Sequence, residues 1–310
     1  MSLRTQILIV TTVIVASFAI TKLISISQSS RSAFEGMATS TAEDAGTIPA
    51  HMPQDTRKLP TRKMDVLDPQ VDAQSVLIQD LDLDYPLFNY QTNKQWPMAS
   101  LTKLMTAVVI TENVGLTKTI PITKEALETE GIAGDLKSGE TYTSEDLMKI
   151  MLMVSSNRAA AAFEEYEGGK EAFALMLNKK AQDLGMTNTV FYDGSGLSPK
   201  NESTTSDLLK LAKYLIDKHP EIIGWTRLQT IKVQPTNSTV SRSVNNIDIF
   251  SSEASFLGGK TGTTPEAREN LLALFSFNND RIIYILLGSH NRTEQTNKLL
   301  KWIKEAYIYN

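Results

Sequence analysis

The 310-residue sequence contains no cysteine, which excludes disulfides, thiol nucleophiles and cysteine-ligated metals. It has only three histidines, His51, His219 and His290, and their scatter gives no metal-ligand spacing. His51 lies in a linker-like stretch and His219 precedes a proline. A Ser-His-Asp triad therefore has His290 alone to draw on. No excess of one charge is present either. The 31 Lys and Arg against 35 Asp and Glu give a net charge of −4, which argues against a nucleic-acid binder. No metal and no cofactor is expected from this composition.

Long apolar runs are nearly absent too. The exception is ILIVTTVIVASFAI at residues 7–20, preceded by Arg4 and no acid. It is short for a span of ~20 residues, and extension to Ile26 takes in Lys22. Two readings fit: a signal peptide over residues 1–27, or an anchor over residues 7–26 in the cytoplasmic membrane with Lys22 reaching the outer interface. Both place the rest of the chain outside the cytoplasm, in the periplasm or at the cell surface. Residues 28–70 then turn to Ser, Thr, Gly, Pro and charge without apolar periodicity, and read as a flexible linker. Residues 71–310 remain for one domain.

Within it, 72–90 reads as two strands joined by a turn at 80–84. Helices follow at the Ser100 stretch, before Val154, from Ala159 to Gly168, from Lys170 to Gly185 and after Thr204. Apolar strands at 270–277 and 281–288 flank the turn Asn278-Asn279-Asp280, and a last helix covers 293–307. Strands at both ends and helices between them predict an α+β fold. One antiparallel sheet is built from both ends, flanked by helices, with a mostly helical subdomain.

The chemistry centres on Pro97-Met98-Ala99-Ser100-Leu101-Thr102-Lys103-Leu104-Met105. Ser100 and Lys103 stand three apart, so they share a helix face. A lysine in a first turn is out of place beside the positive end of the helix dipole. It can serve as base for the hydroxyl if burial and a second cation lower its pKa. Two further motifs follow in order, Ser155-x-Asn157 and Lys260-Thr261-Gly262. Each alone is weak; together they supply what acyl transfer needs. Ser100 is the nucleophile, and Lys103, crowded by Lys260, takes its proton. Ser155 relays a proton to the leaving nitrogen, and Asn157 holds both Lys103 and a substrate amide. Lys260 and Thr261 meet a substrate carboxylate, and Gly262 leaves room for an extended substrate beside the strand edge. The backbone N–H groups of Ser100 and Thr263 are the candidate oxyanion donors.

This set of three is that of penicillin-binding proteins and class A β-lactamases. Residues 72–307 resemble more narrowly the D-alanyl-D-alanine carboxypeptidase family of low-molecular-weight penicillin-binding proteins. The resemblance rests on Met98 to Ala107, on Asp193-Gly194-Ser195-Gly196-Leu197, and on Gly259 to Thr264 with Ala267. It implies a β-lactamase/transpeptidase-like fold and a serine DD-peptidase that cuts D-Ala-D-Ala ends of peptidoglycan stem peptides through an acyl-enzyme on Ser100. It also implies acylation by β-lactam antibiotics. The sequence departs from the family at Arg158, where an aspartate is usual, and at Arg268-Glu269, where a glycine-bearing turn is usual. It stops soon after the last helix, a layout that resembles members cutting D-Ala cross-links. Arg242 and Arg268 are the candidate carboxylate contacts. Two alternatives stay open: a serine β-lactamase, for which no E-x-x-L-N signature is present and Glu202 is the nearest carboxylate, and a catalytically inactive wall-binding protein.

Overall fold

The computed structural model describes residues 58–309. The apolar run at 7–20 and most of the expected linker lie outside these residues. Among those described, no helix is long and apolar enough to cross a membrane.

A five-stranded antiparallel sheet forms the frame. It takes β1 (Ser75–Asp80) and β2 (Tyr85–Tyr90) from the start of the domain, and β3 (Phe256–Thr264), β4 (Arg268–Phe277) and β5 (Asp280–Ser289) from its end. The order across the sheet is β3-β4-β5-β1-β2, as a sheet closed from both ends of the domain requires. Side chains alternate between faces along a strand. Leu272, Leu274, Ile283 and Ile285 thus join the core on the helical side. Leu271, Ala273, Phe275, Ile282 and Tyr284 join a second core beneath the C-terminal helix. Burial on both faces explains why these strands read as continuous apolar runs. The β4–β5 hairpin turns through Asn278 and Asn279, at φ 51° and 68°, the left-handed conformation that a tight hairpin needs and asparagine tolerates.

The helical side holds α1 (Thr102–Asn113), the short α2 (Lys124–Glu128), α3 (Ser144–Met153), α4 (Asn157–Tyr166), α5 (Lys170–Asp183), α6 (Thr205–Lys218) and α7 (Pro220–Arg227). The last helix, α8 (Arg292–Ala306), covers the other face of the sheet. Threonine hydroxyls cap two of these helices: those of Thr143 and Thr204 accept from Asp146 N and Asp207 N, each at 3.1 Å. Helices α2 and α7 were not expected. One is a single turn, and the other starts at the proline that reads as a breaker but suits a first helical position. In α1 every residue from Thr102 to Ile110 is buried, so this helix runs through the middle of the molecule with no polar face. Lys103 is carried inside with it.

The linker expected to reach residue 70 is shorter. Thr61–Arg62 pairs with Tyr307–Ile308, and the Arg62 guanidinium lies 5.0 Å from the centre of the Trp302 ring. Trp302 Nε1 donates to Leu67 O at 2.8 Å. Composition alone reads this stretch as tether. Stacking of one arginine on α8 fixes it to the domain.

Candidate active site

Ser100 is the middle residue of a one-turn 3₁₀ helix, Ala99–Leu101, that runs into α1. The turn enters sharply, with Ala99 at φ 48°. Two neighbouring segments clamp it. Asn201 O accepts from Met98 N at 2.8 Å, and Asn270 Nδ2 donates to Pro97 O at 2.9 Å. Glycine is required on both sides. A Cβ on Gly196 would stand 2.0 Å from Ala99 O, and one on Gly262 would stand 2.9 Å from Met98 O and 3.1 Å from Ser100 N. The missing side chain at Gly262 lets edge strand β3 press against the Ser100 turn.

Lys103 is fully buried. Its Nζ donates to Ser100 Oγ at 2.9 Å, to Asn157 Oδ1 at 2.7 Å and to the carbonyl of Ser195. Burial holds its pKa well below the usual lysine value, and the charge of Lys260 pushes it the same way; Asp193 and Glu164 push it back up. A lysine so placed can exist as a free amine and take a proton from the hydroxyl it already touches.

Asn157 is the first residue of α4, capped by Ser156, whose hydroxyl accepts from Ala159 N at 3.3 Å and donates to Ala133 O at 2.7 Å. Asn157 Nδ2 donates to Glu130 O at 3.0 Å, and Arg158 Nε to Thr129 O at 3.3 Å. The departure at Arg158 thus ties down the 129–134 segment beside the site. Ser155 sits between α3 and α4 at φ 57°, a strained position for a non-glycine residue. Among the described residues no hydrogen bond joins it to Ser100 or Lys103.

On the third side, Lys260, Thr261, Gly262 and Thr263 all lie in β3. Lys260 is buried and donates to Thr261 O at 2.8 Å. Burial brings its pKa down to about 7, with Asp248 raising and Arg292 lowering it. Arg292, at the start of α8, donates to Thr263 Oγ1 at 2.6 Å and to Gly262 O at 3.2 Å. It is the cation beside this strand that sequence spacing did not single out. The two arginines it did single out are engaged elsewhere: Arg242 pairs with Glu140, and Arg268 lies over the Trp96 ring at 5.7 Å. Arg268 also takes the left-handed position, φ 56°, at the end of the β3–β4 turn where a glycine was expected.

Asp193 and Asn201 were also not foreseen as site-building residues. Asp193 Oδ1 accepts from Ser195 N at 2.9 Å, Ser195 Oγ at 3.0 Å and Gly196 N at 2.5 Å, and Oδ2 accepts from Ser198 N at 2.7 Å. Asn201 Nδ2 donates to Asp193 O at 2.8 Å and to Thr102 Oγ1 at 3.1 Å. Together they fold the 193–201 loop so that the Ser195 carbonyl meets Lys103. The signal was the D-G-S-G run itself, an acid ahead of small residues with free N–H groups. His290 takes no part in a triad: its partner is Asp72 at 2.7 Å, whereas that of Ser100 is Lys103. Among the described residues no cluster of three or more His, Cys, Asp or Glu could hold a metal ion.

A serine on a tight turn, a buried lysine against it, and a Lys-Thr-Gly edge strand beside both define the active-serine fold of penicillin-recognising enzymes. Comparison with known proteins makes this specific. Residues 62–291 match the D-alanyl-D-alanine carboxypeptidase family, and the chain belongs to this family of serine DD-peptidases. It is 30% identical over 250 residues to the D-alanyl-D-alanine endopeptidase of Pseudomonas aeruginosa, covering 78% of this chain and 80% of that one. It is 31% identical over 250 residues to D-alanyl-D-alanine carboxypeptidase DacC of Escherichia coli, covering 76% of this chain and 62% of the relative. In fold it is similar to the D-alanyl-D-alanine carboxypeptidase of Mycobacterium tuberculosis, with a TM-score of 0.72 at 23% identity, covering 81% of this chain and 99% of that one.

Proposed function

We propose that Ser100 Oγ attacks the carbonyl of the penultimate D-Ala in a peptidoglycan stem, and that Lys103 accepts the hydroxyl proton. The observation that carries this is the buried Lys103 Nζ, bonded at once to Ser100 Oγ at 2.9 Å and Asn157 Oδ1 at 2.7 Å. The N–H groups of Ser100 and Thr263 receive the oxyanion. Ser155 passes the proton to the departing amine, and an ester on Ser100 remains. Water hydrolyses that ester and frees Ser100. The leaving amine is a terminal D-Ala or the amine of a D-Ala cross-link.

The substrate lies beside β3 with its carboxylate at Lys260, Thr261 and Arg292. Arg292→Ala is expected to raise KM for a peptide ending in D-Ala-D-Ala about tenfold, worth ~1.4 kcal/mol. Steady-state kinetics against a stem pentapeptide at low and high salt check this; kcat should change little, because the contact exists in ground and transition states alike.

The buried carboxylates near Lys103 are already engaged. Glu164 Oε1 accepts from Gly194 N and Asp193 from Ser195 N, so both carboxylates shape the loop that meets Lys103. The apolar run at 7–20 supports a place outside the cytoplasmic membrane, with the chain held there by that segment or released after cleavage.

Intact mass after incubation with benzylpenicillin tests the reading. A lasting one-to-one adduct is expected on the Ser100 peptide, with none on Ser100→Ala. Rapid penicillin turnover without an adduct would indicate a β-lactamase. A folded protein with neither would be a wall-binding protein.

A further inference from the structure

Three consecutive side chains at the start of α4 all donate to one neighbouring segment. Ser156 Oγ donates to Ala133 O at 2.7 Å, Asn157 Nδ2 to Glu130 O at 3.0 Å and Arg158 Nε to Thr129 O at 3.3 Å. The 129–134 segment is thereby strapped across the N-terminus of α4. The chain leading into it is tied to the same helix, since the Thr123 hydroxyl at the head of α2 donates to Glu165 on α4. Glycine lets the strap lie this close. Gly134 takes φ 96°, and a Cβ there would stand 2.6 Å from Ile150 Cγ2 on α3. Arg158 makes no ion pair among the described residues, and its one hydrogen bond there is the bond to the strap.

The strap decides how the Asn157 amide faces. Oδ1 accepts from Lys103 Nζ at 2.7 Å, and Glu130 O takes one Nδ2 hydrogen. A flipped amide would set its NH₂ against the lysine and its oxygen against a carbonyl oxygen, so the two contacts select one orientation. They are not equal in the reactive state. A charged ammonium is the stronger donor, and a lysine that has become a free amine to act as base grips Oδ1 less. The Glu130 carbonyl keeps its hold whatever the charge of Lys103. The second Nδ2 hydrogen has no acceptor among the described residues and is the one free for a substrate amide. We propose that Arg158 is a positioning residue: by holding Thr129 O it keeps the adjacent Glu130 carbonyl on Asn157, and so keeps that amide turned toward the substrate while Lys103 is neutral. This rests on reading Asn157 as the group that binds a substrate amide.

The test compares two acylating agents. Benzylpenicillin carries a side-chain amide for Asn157; the penicillin nucleus with a free amine has the same reacting ring and no such amide. Alanine suits this helix, which continues through Ala159 to Ala162, so Arg158→Ala should fold. It should slow acylation of Ser100 by benzylpenicillin about fivefold, as loss of one hydrogen bond does, and acylation by the bare nucleus less than about twofold. Arg158→Lys keeps a donor for Thr129 O and should restore most of the difference. Gly131→Ala disturbs the strap from its own side, because φ there is 96° and the added Cβ would stand 3.4 Å from Asn157 Nδ2. It should reproduce the selective loss.

The Asn157 side-chain amide protons, assigned by NMR with Asn157→Asp, give a readout that needs no substrate. Their exchange with solvent should be slow in the wild type and fast in Arg158→Ala. Unchanged exchange in folded Arg158→Ala overturns the proposal. So does equal slowing for both agents in Arg158→Ala when Asn157→Ala shows the selective loss. If Asn157→Ala itself shows no selective loss, the amide-binding reading of Asn157 fails, and the exchange rates alone decide whether Arg158 holds the amide.

Discussion

Lys103→Ala is expected to slow acylation of Ser100 by about 10²–10⁴-fold, the usual contribution of a positioned base. The loss should be almost entirely in the chemical step, since Lys103 is buried beneath Ser100 and the proposed carboxylate contacts lie on β3 instead. Lys103→Arg should lose as much, because a guanidinium stays protonated and cannot accept the proton. Stopped-flow measurement of penicillin acylation separates this from weaker binding. The same variant has a signature in stability. The folded-state pKa of Lys103 lies below its unfolded value, so between the two the unfolded chain binds more protons. Stability therefore rises with pH from the folded pKa up to the unfolded value near 10.4. Lys260, at about 7, adds to the same rise. Denaturant unfolding at pH 7 and pH 9 should show a smaller gain for Lys103→Ala than for the wild type. An equal gain would mean that Lys103 is not the depressed group.

Asp193→Ala should cost about 3 kcal/mol or more of stability, since it strands buried N–H groups that have no other acceptor. It should also reduce acylation, although Asp193 touches no substrate. Three loop N–H groups and the Ser195 hydroxyl converge on its two oxygens, and this convergence aims the Ser195 carbonyl at Lys103. Asp193→Asn should fall between, because its amide keeps one acceptor oxygen. Thermal unfolding and acylation rates on the same preparations check both. Full acylation in a destabilised Asp193→Ala would show that Lys103 needs no help from the loop.

Much of this site is legible along the chain. Ser100 and Lys103 lie one turn apart on one helix, and Asn157 starts the next helix after Ser155, because each spacing is set by local backbone geometry. The sheet strands and the Thr143 and Thr204 caps are legible for the same reason. What required the structure are the partners far apart in sequence. Arg292 reaches Thr263 across 29 positions, and neither residue's local pattern marks the contact. Arg242 and Arg268 look equally suited on paper, and tertiary contacts assign them to Glu140 and Trp96 instead. Gly262 shows the limit from the other direction. The sequence marks a position that needs glycine, but only the tertiary structure shows the Ser100 turn pressed against it.

By itself, then, the sequence determined the candidate nucleophile and base, the order of the three motifs, the family and the two-ended sheet. These follow from periodicity and short-range spacing, which act within one or two turns of chain. The tertiary structure alone decided which charges surround that pair. It buried Lys103 and Lys260, and brought Asp193 and Arg292 to the site. Desolvation and Coulomb interaction depend on distance in space, and no local pattern in the chain encodes that distance.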